Sequence, residues 1–271
     1  MSDRDDVSRD RRQICAIGVM AKAPQAGRSK TRLCPPLLAQ QAAAISAAFL
    51  RDVTENIAAA AKSAPVQGLI AYTPTGSQTL FEGHFADGTE FVLADGMSDI
   101  PDDMPADVVG LGRCLLHAIQ AMLARGFGAA CVLNSDSPTL PTSFLVRAAE
   151  ALLTRSDRVV LGPAEDGGYY LLGMQAPHAR LFADIAWSTD SVADATRARA
   201  GQLGLEIVEL PLWYDVDDRN SLARLIADIG GQDAGTGLCP YPAPETGAAL
   251  HRIGLLPTLQ ARAALQTRAA E

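Results

Sequence analysis

The sequence predicts an α/β fold built on a mainly parallel sheet with helices on both faces. Three observations carry that prediction. Short apolar runs with branched residues alternate with longer stretches of helical periodicity. Polar segments rich in Pro, Gly and Asp follow the apolar runs, and no internal repeat breaks the alternation. Strands alternating with helices join through right-handed crossovers, which gives a parallel sheet buried on both faces. Ligands of such sheets bind beyond the carboxyl ends of the strands, so the informative residues should lie just after strands.

The elements follow in order. Gln13 to Met20 reads as a buried strand that ends in a Pro/Gly loop. Leu37 to Lys62 places Ile45, Phe49, Val53 and Ile57 at helical spacing, an amphipathic helix. Val66 to Tyr72 is a strand stopped by Pro74 and Gly76, and Phe91 to Leu93 is a short third strand. Asp95 to Asp107 is a long polar loop of the kind that is often functional. Leu111 to Arg125 is a helix, Ala129 to Leu133 a strand and Ser143 to Leu153 a helix. Arg158 to Leu161 and Tyr169 to Gly173 are strands flanking the loop GPAEDGG. Asp190 to Leu203 is helical, Leu205 to Leu210 is a strand, and Ser221 to Ile229 is a closing helix. The organisation expected is a disordered leader over 1–12, one domain over 13–229, and a tail over 230–271 with a short helix.

Bulk composition narrows the function classes. A formal net charge of −8 argues against a nucleic-acid-binding face, which needs a basic surface. No apolar run approaches the roughly 20 residues of a membrane span. Cys15, Cys34, Cys114, Cys131 and Cys239 are odd in number and scattered without zinc or redox spacing, as expected of thiols in a reducing cytoplasm. His84, His117, His178 and His251 are isolated, and the metalloprotease, nucleophile-elbow and dinucleotide motifs are all missing. Lysine occurs only at positions 22, 30 and 62, so two of three fall in the first loop, AKAPQAGRSKTRL.

That loop is not a P-loop, because Ser29 stands where the template needs a glycine before Lys30-Thr31. Backbone N–H groups near Gly27, with Lys22, Lys30 and Arg32, could still cradle phosphate; the alternative is a solvated basic turn. In NSDSPTLP, Asp136 sits at a strand's end, where it either holds a divalent metal or, with Ser137, caps the next helix. In GPAEDGGYYLLG, Glu165 and Asp166 precede two glycines that permit close backbone approach. Of Tyr169 and Tyr170, alternation sends one to the crevice and one to the core. In AWSTDSV, Ser188 to Asp190 reads as a helix cap after Trp187. Asp215, Asp217 and Asp218 follow the last strand, one a candidate metal carboxylate and the others candidate caps.

Taken in order, AKAPQAGRSKTRL, NSDSPTLP, GPAEDGGYYLLG, WSTD and YDVDD resemble the bacterial GT-A-like rSAM/selenodomain-associated transferase 1 family. That family is in turn similar to 2-phospholactate guanylyltransferase and, more distantly, to molybdenum-cofactor guanylyltransferase. The resemblance spans roughly Ile14 to Ile229. It implies a three-layer αβα sandwich with a Rossmann-like sheet, the nucleotide-diphospho-sugar transferase fold. It also implies a nucleotide site at Ala21, Lys22, Ala23, Pro24, Gly27, Lys30, Thr31, Arg32 and Arg113. Catalytic roles fall to Lys22, Lys30, Asp136 and Asp166, and Asp136 with Asp217 would hold Mg²⁺ or Mn²⁺. Gly167, Gly168, Tyr169, Trp187, Ser188 and Thr189 would face the acceptor. One departure is VGLGRCLL from Val109, where relatives carry a turn like Gly-Asp-Leu-Gly-Glu-Arg; Arg113 keeps the cation but the acids are gone.

The expected activity is nucleotidyl transfer, in which an acceptor phosphate or hydroxyl attacks the α-phosphorus of an NTP. Glycosyl transfer from an NDP-sugar is the alternative, and a non-catalytic nucleotide-binding module is the third reading. The expected partners are therefore a nucleotide and a small-molecule acceptor, with no nucleic acid and no membrane span; a homodimer is compatible with the chain.

Overall fold

The computed structural model describes residues 10–97, 104–231 and 238–256. Seven strands form one sheet: β1 (Cys15–Ala21), β2 (Val66–Tyr72), β3 (Glu90–Leu93), β4 (Ala129–Asn134), β5 (Arg158–Pro163), β6 (Tyr169–Met174) and β7 (Glu206–Glu209). Their order is β3-β2-β1-β4-β6-β5-β7. β1 pairs in parallel with β2 and β4, β2 with β3, and β5 with β7. β6 alone runs against its neighbours β4 and β5. The carboxyl ends of the six parallel strands therefore share one edge with the amino end of β6.

Among the described residues six α-helices accompany the sheet: α1 (Ala39–Ala60), α2 (Gly110–Ala124), α3 (Thr142–Thr154), α4 (Val192–Gln202), α5 (Arg219–Ile229) and α6 (Pro244–Arg252). The period-two pleat divides each central strand between two cores. Cys15, Ile17, Val19, Ala129, Cys131 and Leu133 face a core with Ile45, Phe49, Phe144, Leu145, Leu225 and Leu250, from α1, α3, α5 and α6. Ala16, Ala130 and Val132 face the other, with Leu115, Leu116, Ile119 and Met122 of α2 and Ala200 of α4. The result is the three-layer αβα sandwich expected.

Element ends differ where local chemistry differs from the sequence reading. α4 starts at Val192 because Ser188 takes a left-handed φ of 65°, and Ser191 precedes the helix without a side-chain cap. The Ser188–Asp190 capping assignment is thus corrected. Asp218 does cap α5, accepting from the Ser221 N–H. Of the expected leader, residues 1–9 lie outside the described residues, while Arg11–Gln13 form one 3₁₀ turn in which Arg11 pairs with Glu90 at 2.9 Å. Residues 98–103 of the Asp95–Asp107 segment and 257–271 of the tail also lie outside them.

α6 is held to α1 by a buried anion. The fully buried Asp52 accepts the N–H groups of Glu245 at 3.1 Å and Thr246 at 2.7 Å. Those are free donors of the first turn of α6, whose own N-cap, Ala243, has no side-chain acceptor. Asp52 thus acts as a cap supplied from another helix. Burial pushes its carboxyl above the ordinary value, and the two N–H bonds offset only part of that.

Candidate active site at the carboxyl edge

The loop after β1 is folded onto itself by Ser29. Its Oγ accepts the Gln25 N–H at 3.0 Å and donates to Ala23 O at 3.3 Å, and the N–H groups of Arg28 and Ser29 bond to Gln25 O. A serine here closes a compact turn instead of leaving the backbone donors of Arg28 and Ser29 open to an anion. Gly27 supplies a φ of +76° at the bend. Lys30 then takes a left-handed φ of 49° and sends its side chain inward.

The Lys30 ammonium ends between the two expected metal ligands. It lies 2.9 Å from Asp136 Oδ1 and 2.7 Å from Asp217 Oδ1, and donates to Val216 O at 2.6 Å. Only 7% of the side chain is exposed. Burial alone would lower its pKa, but the two carboxylates outweigh that and hold it above the ordinary lysine value.

Asp136 is fixed in place from several sides. Its backbone O accepts the Val216 N–H at 2.9 Å, and the Ser135 hydroxyl donates to its Oδ1 at 3.0 Å. Ser137 Oγ donates to Tyr214 O at 2.9 Å, so the turn is bonded to the segment that carries Asp215 and Asp217. α1 reaches the same turn, where Asn56 Nδ2 donates to Leu140 O at 2.7 Å. Tyr241 N–H donates to Thr139 O at 3.1 Å, which brings in the segment before α6. The residue before α3 is Pro141, with no side-chain cap, so neither Asp136 nor Ser137 caps that helix.

A cleft of about 530 Å³ opens at this edge. Its lining includes polar residues, Arg32, Asn134, Ser135, Asp136, Asp166, Asp190, Asp215 and Asp217, and apolar or aromatic ones, Met20, Leu111, Leu115, Val132, Tyr169 and Trp187, together with Gly168, Ser188 and Thr189. Tyr169 and Trp187 meet edge to face at 6.4 Å. Tyr170 faces the core, stacked on Phe144, with its hydroxyl donating to Pro211 O at 2.9 Å, as alternation predicts. Arg32, Asp166, Asp215 and Asp217 also line a second groove whose far side holds Glu165, Tyr214 and Arg224. There Arg224 lies 3.9 Å over the Tyr214 ring and 2.6 Å from Glu165.

The structure thus brings together Lys30, Arg32, Asp136, Asp166, Gly168, Tyr169, Trp187, Ser188, Thr189 and Asp217. It leaves others out of the cleft lining. Ala21, the last residue of β1, and Ala23 are buried in the core, Pro24 is half-buried, and Lys22, Gly27 and Thr31 are exposed. Arg113 donates to Val108 O at 3.2 Å, closing the turn that starts α2. Gly167 serves packing: with a φ of +87°, any Cβ there would lie 2.0 Å from Asp190 O, and its own O accepts the Ala193 N–H.

Asp215, one of three aspartates after the last strand, lines both cavities. Burial first, then the charges of Asp166, Asp217 and Asp136, push its carboxyl up to about 6. As lining residues Asp190 and the aliphatic Met20, Leu111, Leu115 and Val132 were not legible, because a lone Asp and scattered apolar residues carry no spacing signal.

The donor set fits a hard divalent cation. Two carboxylate oxygens converge on one point, and a cationic nitrogen already stands there in the place of such an ion. Among the described residues no group of three or more His, Cys, Asp or Glu is placed to hold a metal ion.

Comparison with known proteins places this architecture. No curated protein matches the chain. A protein from Desulfovibrio desulfuricans G20, assigned to the nucleotide-diphospho-sugar transferases, superposes with a TM-score of 0.69 at 24% identity, over 90% of this chain and 99% of that one. CMP:2-keto-3-deoxy-manno-octonic acid synthetase complexed with CTP gives a TM-score of 0.47 at 12% identity, over 81% of this chain and 100% of that one. Glucosyl-3-phosphoglycerate synthase from Mycobacterium tuberculosis, in complex with Mn²⁺, UDP and phosphoglyceric acid, gives 0.45 at 13%, over 91% and 80%. The model of the family described as "Uncharacterized protein conserved in bacteria (DUF2064)" matches residues 56–189. The match to the DUF2064 model thus covers just under half of the chain, and the sheet that carries it has the GT-A-like nucleotide-diphospho-sugar transferase fold.

Proposed function

We propose that the protein is a nucleotide-dependent transferase that moves a nucleotidyl group to a small acceptor. The observation that carries this reading is the convergence of Lys30, Asp136 and Asp217 at the mouth of a cleft on the carboxyl edge. Asp136 and Asp217 would hold Mg²⁺ or Mn²⁺, which would supply charge neutralisation at the nucleotide phosphates. Arg32, at the border of both cavities, would bind phosphate oxygens and stabilise charge that grows on them in the transition state.

The acceptor side differs from the phosphate-bearing acceptor that the sequence admits. Beyond Arg32 the cleft lining carries Asp166, Asp190 and Asp215, whose negative charge disfavours an anionic acceptor. A hydroxyl fits better. Its oxygen would form the new bond to the α-phosphorus, and the bond from that phosphorus to the bridging oxygen would break. The electron pair would leave with pyrophosphate, and the hydroxyl proton would pass to a cleft carboxylate, for which Asp166 is placed at the border of both cavities.

A second reading, glycosyl transfer from an NDP-sugar, draws on the Tyr169–Trp187 pair. An aromatic pair that lines the cleft together with Ser188 and Thr189 is a surface on which a sugar ring packs. Incubation of the protein with Mg²⁺, polyol acceptors and either NTPs or NDP-sugars separates the two. Pyrophosphate release from an NTP is expected; NDP release from a nucleotide sugar, without pyrophosphate, would establish the second reading. Absence of nucleotide binding by calorimetry would overturn both.

A further inference from the structure

We propose that Lys30 is a resident counter-ion which competes with a divalent metal for the Asp136–Asp217 pair, so that metal and nucleotide bind interdependently. This rests on the nucleotide reading of the site. The ammonium has three N–H donors and three oxygen partners, Val216 O, Asp217 Oδ1 and Asp136 Oδ1, at 2.6, 2.7 and 2.9 Å. It is saturated, so it cannot reach a phosphate without leaving at least one of them. With 7% of its side chain exposed, it has little water to fall back on.

Two facts make the arrangement a competition. The point on which the carboxylates converge is the position a shared cation would take, and a positive nitrogen at that point repels an incoming ion. Removing the ammonium with nothing in its place would leave Asp136 and Asp217 facing Asp215 with no cation between them. A divalent ion alone therefore faces a neutralised pair and must expel a buried lysine that has no other acceptor. A nucleotide changes this, since its phosphate oxygens offer the ammonium a new partner while the metal takes over the carboxylates. Each ligand removes the obstacle to the other, which is thermodynamic coupling and works in both directions.

The test begins with Mn²⁺ binding to the nucleotide-free protein, read from the free-ion signal in electron paramagnetic resonance. Lys30→Met and Lys30→Gln should each bind Mn²⁺ at least tenfold more tightly than wild type. Equal or weaker binding by folded variants would overturn the proposal. A second measurement uses the wild type alone. With only Lys22, Lys30 and Lys62 in the chain, the ¹⁵N-lysine Nζ spectrum is simple enough to follow one buried ammonium. Its signal should persist at millimolar Mg²⁺ and shift when Mg²⁺ and CTP, GTP, ATP or UTP are added together. A shift with Mg²⁺ alone would refute the competition. If no nucleotide binds in any arm while the variants still gain Mn²⁺ affinity, the function proposed above falls and the counter-ion role of Lys30 stands without the coupling.

Discussion

Replacing Asp52 should detach α6 before it disturbs the sheet. The carboxylate is fully buried and accepts two backbone N–H groups, from Glu245 at 3.1 Å and Thr246 at 2.7 Å. A hydrogen bond to a charged group contributes about 1.5–3 kcal/mol, and a buried donor left without a partner costs about 1–3 kcal/mol. The Glu245 end is only partly buried, so Asp52→Ala should lose about 3 kcal/mol and Asp52→Asn, which keeps one acceptor, about 2 kcal/mol. Urea denaturation gives the totals. Hydrogen exchange gives the location: the amides of 244–252 should lose protection first. The pH dependence adds a sign. The folded pKa of Asp52 is raised, so between the ordinary carboxylate value and the raised one the native state holds more protons than the unfolded state. Its contribution therefore falls as pH rises through that acid window, and Asp52→Asn should flatten the slope there. A loss below about 1 kcal/mol for Asp52→Ala, with protection in α6 unchanged, would refute the account of Asp52 as a cap.

Three further outcomes are expected. Gly112→Ala would place a Cβ 2.6 Å from Trp187 Cζ2, so the indole must move; the helix gain of about 1 kcal/mol will not offset that, and a net loss of about 1 kcal/mol with a red-shifted tryptophan emission should result. Unchanged emission would show that the indole does not rest on α2. Tyr214→Phe removes a hydroxyl that donates to Asp228 Oδ2 at 2.6 Å and contacts Thr139 Oγ1 at 3.1 Å, which should cost about 1–2 kcal/mol in urea denaturation. Asp215, pushed up to about 6, binds its proton more tightly in the fold, so stability should fall as pH rises from about 4 to about 6. In metal-free buffer Asp215→Asn should remove that slope and add about 1 kcal/mol at pH 7, a value reduced for partial solvent screening; a slope as steep as wild type would contradict the crowding described.

The strands and main helices were legible because each has a period that burial enforces. The Val66–Tyr72 strand matches its predicted ends, and Ile45, Phe49, Val53 and Ile57 all turn into one core. Asp136 was legible as a carboxylate at a strand's end, and Asp217 as one of three that follow the last strand. Their distance from Lys30 was not, since the contact joins positions 186 or more residues apart for the Lys30–Val216 and Lys30–Asp217 bonds. Ser29 looked like a failed P-loop glycine, but its hydroxyl closes the turn, a local bond that no template encodes. The cap that Asp52 gives α6 was hidden for the same reason, because an aspartate inside an amphipathic helix reads as a solvated face. Only the fold shows that it points the other way.

The single reversed strand decides how this cleft can vary. A crossover between β5 and β6 would have required a helix packed on the sheet, and lengthening it would have disturbed a core. The hairpin instead joins them through five residues, 164–168, that lie wholly at the open edge. Substitutions at Glu165 and Asp166 would reshape the rim while every parallel ladder keeps its register, whereas Ala164 and Gly167 are held against Trp213 and Asp190. Changes at those two positions would therefore alter what approaches the cleft at little cost to folding, while the Lys30 cluster, built on other segments, stays in place.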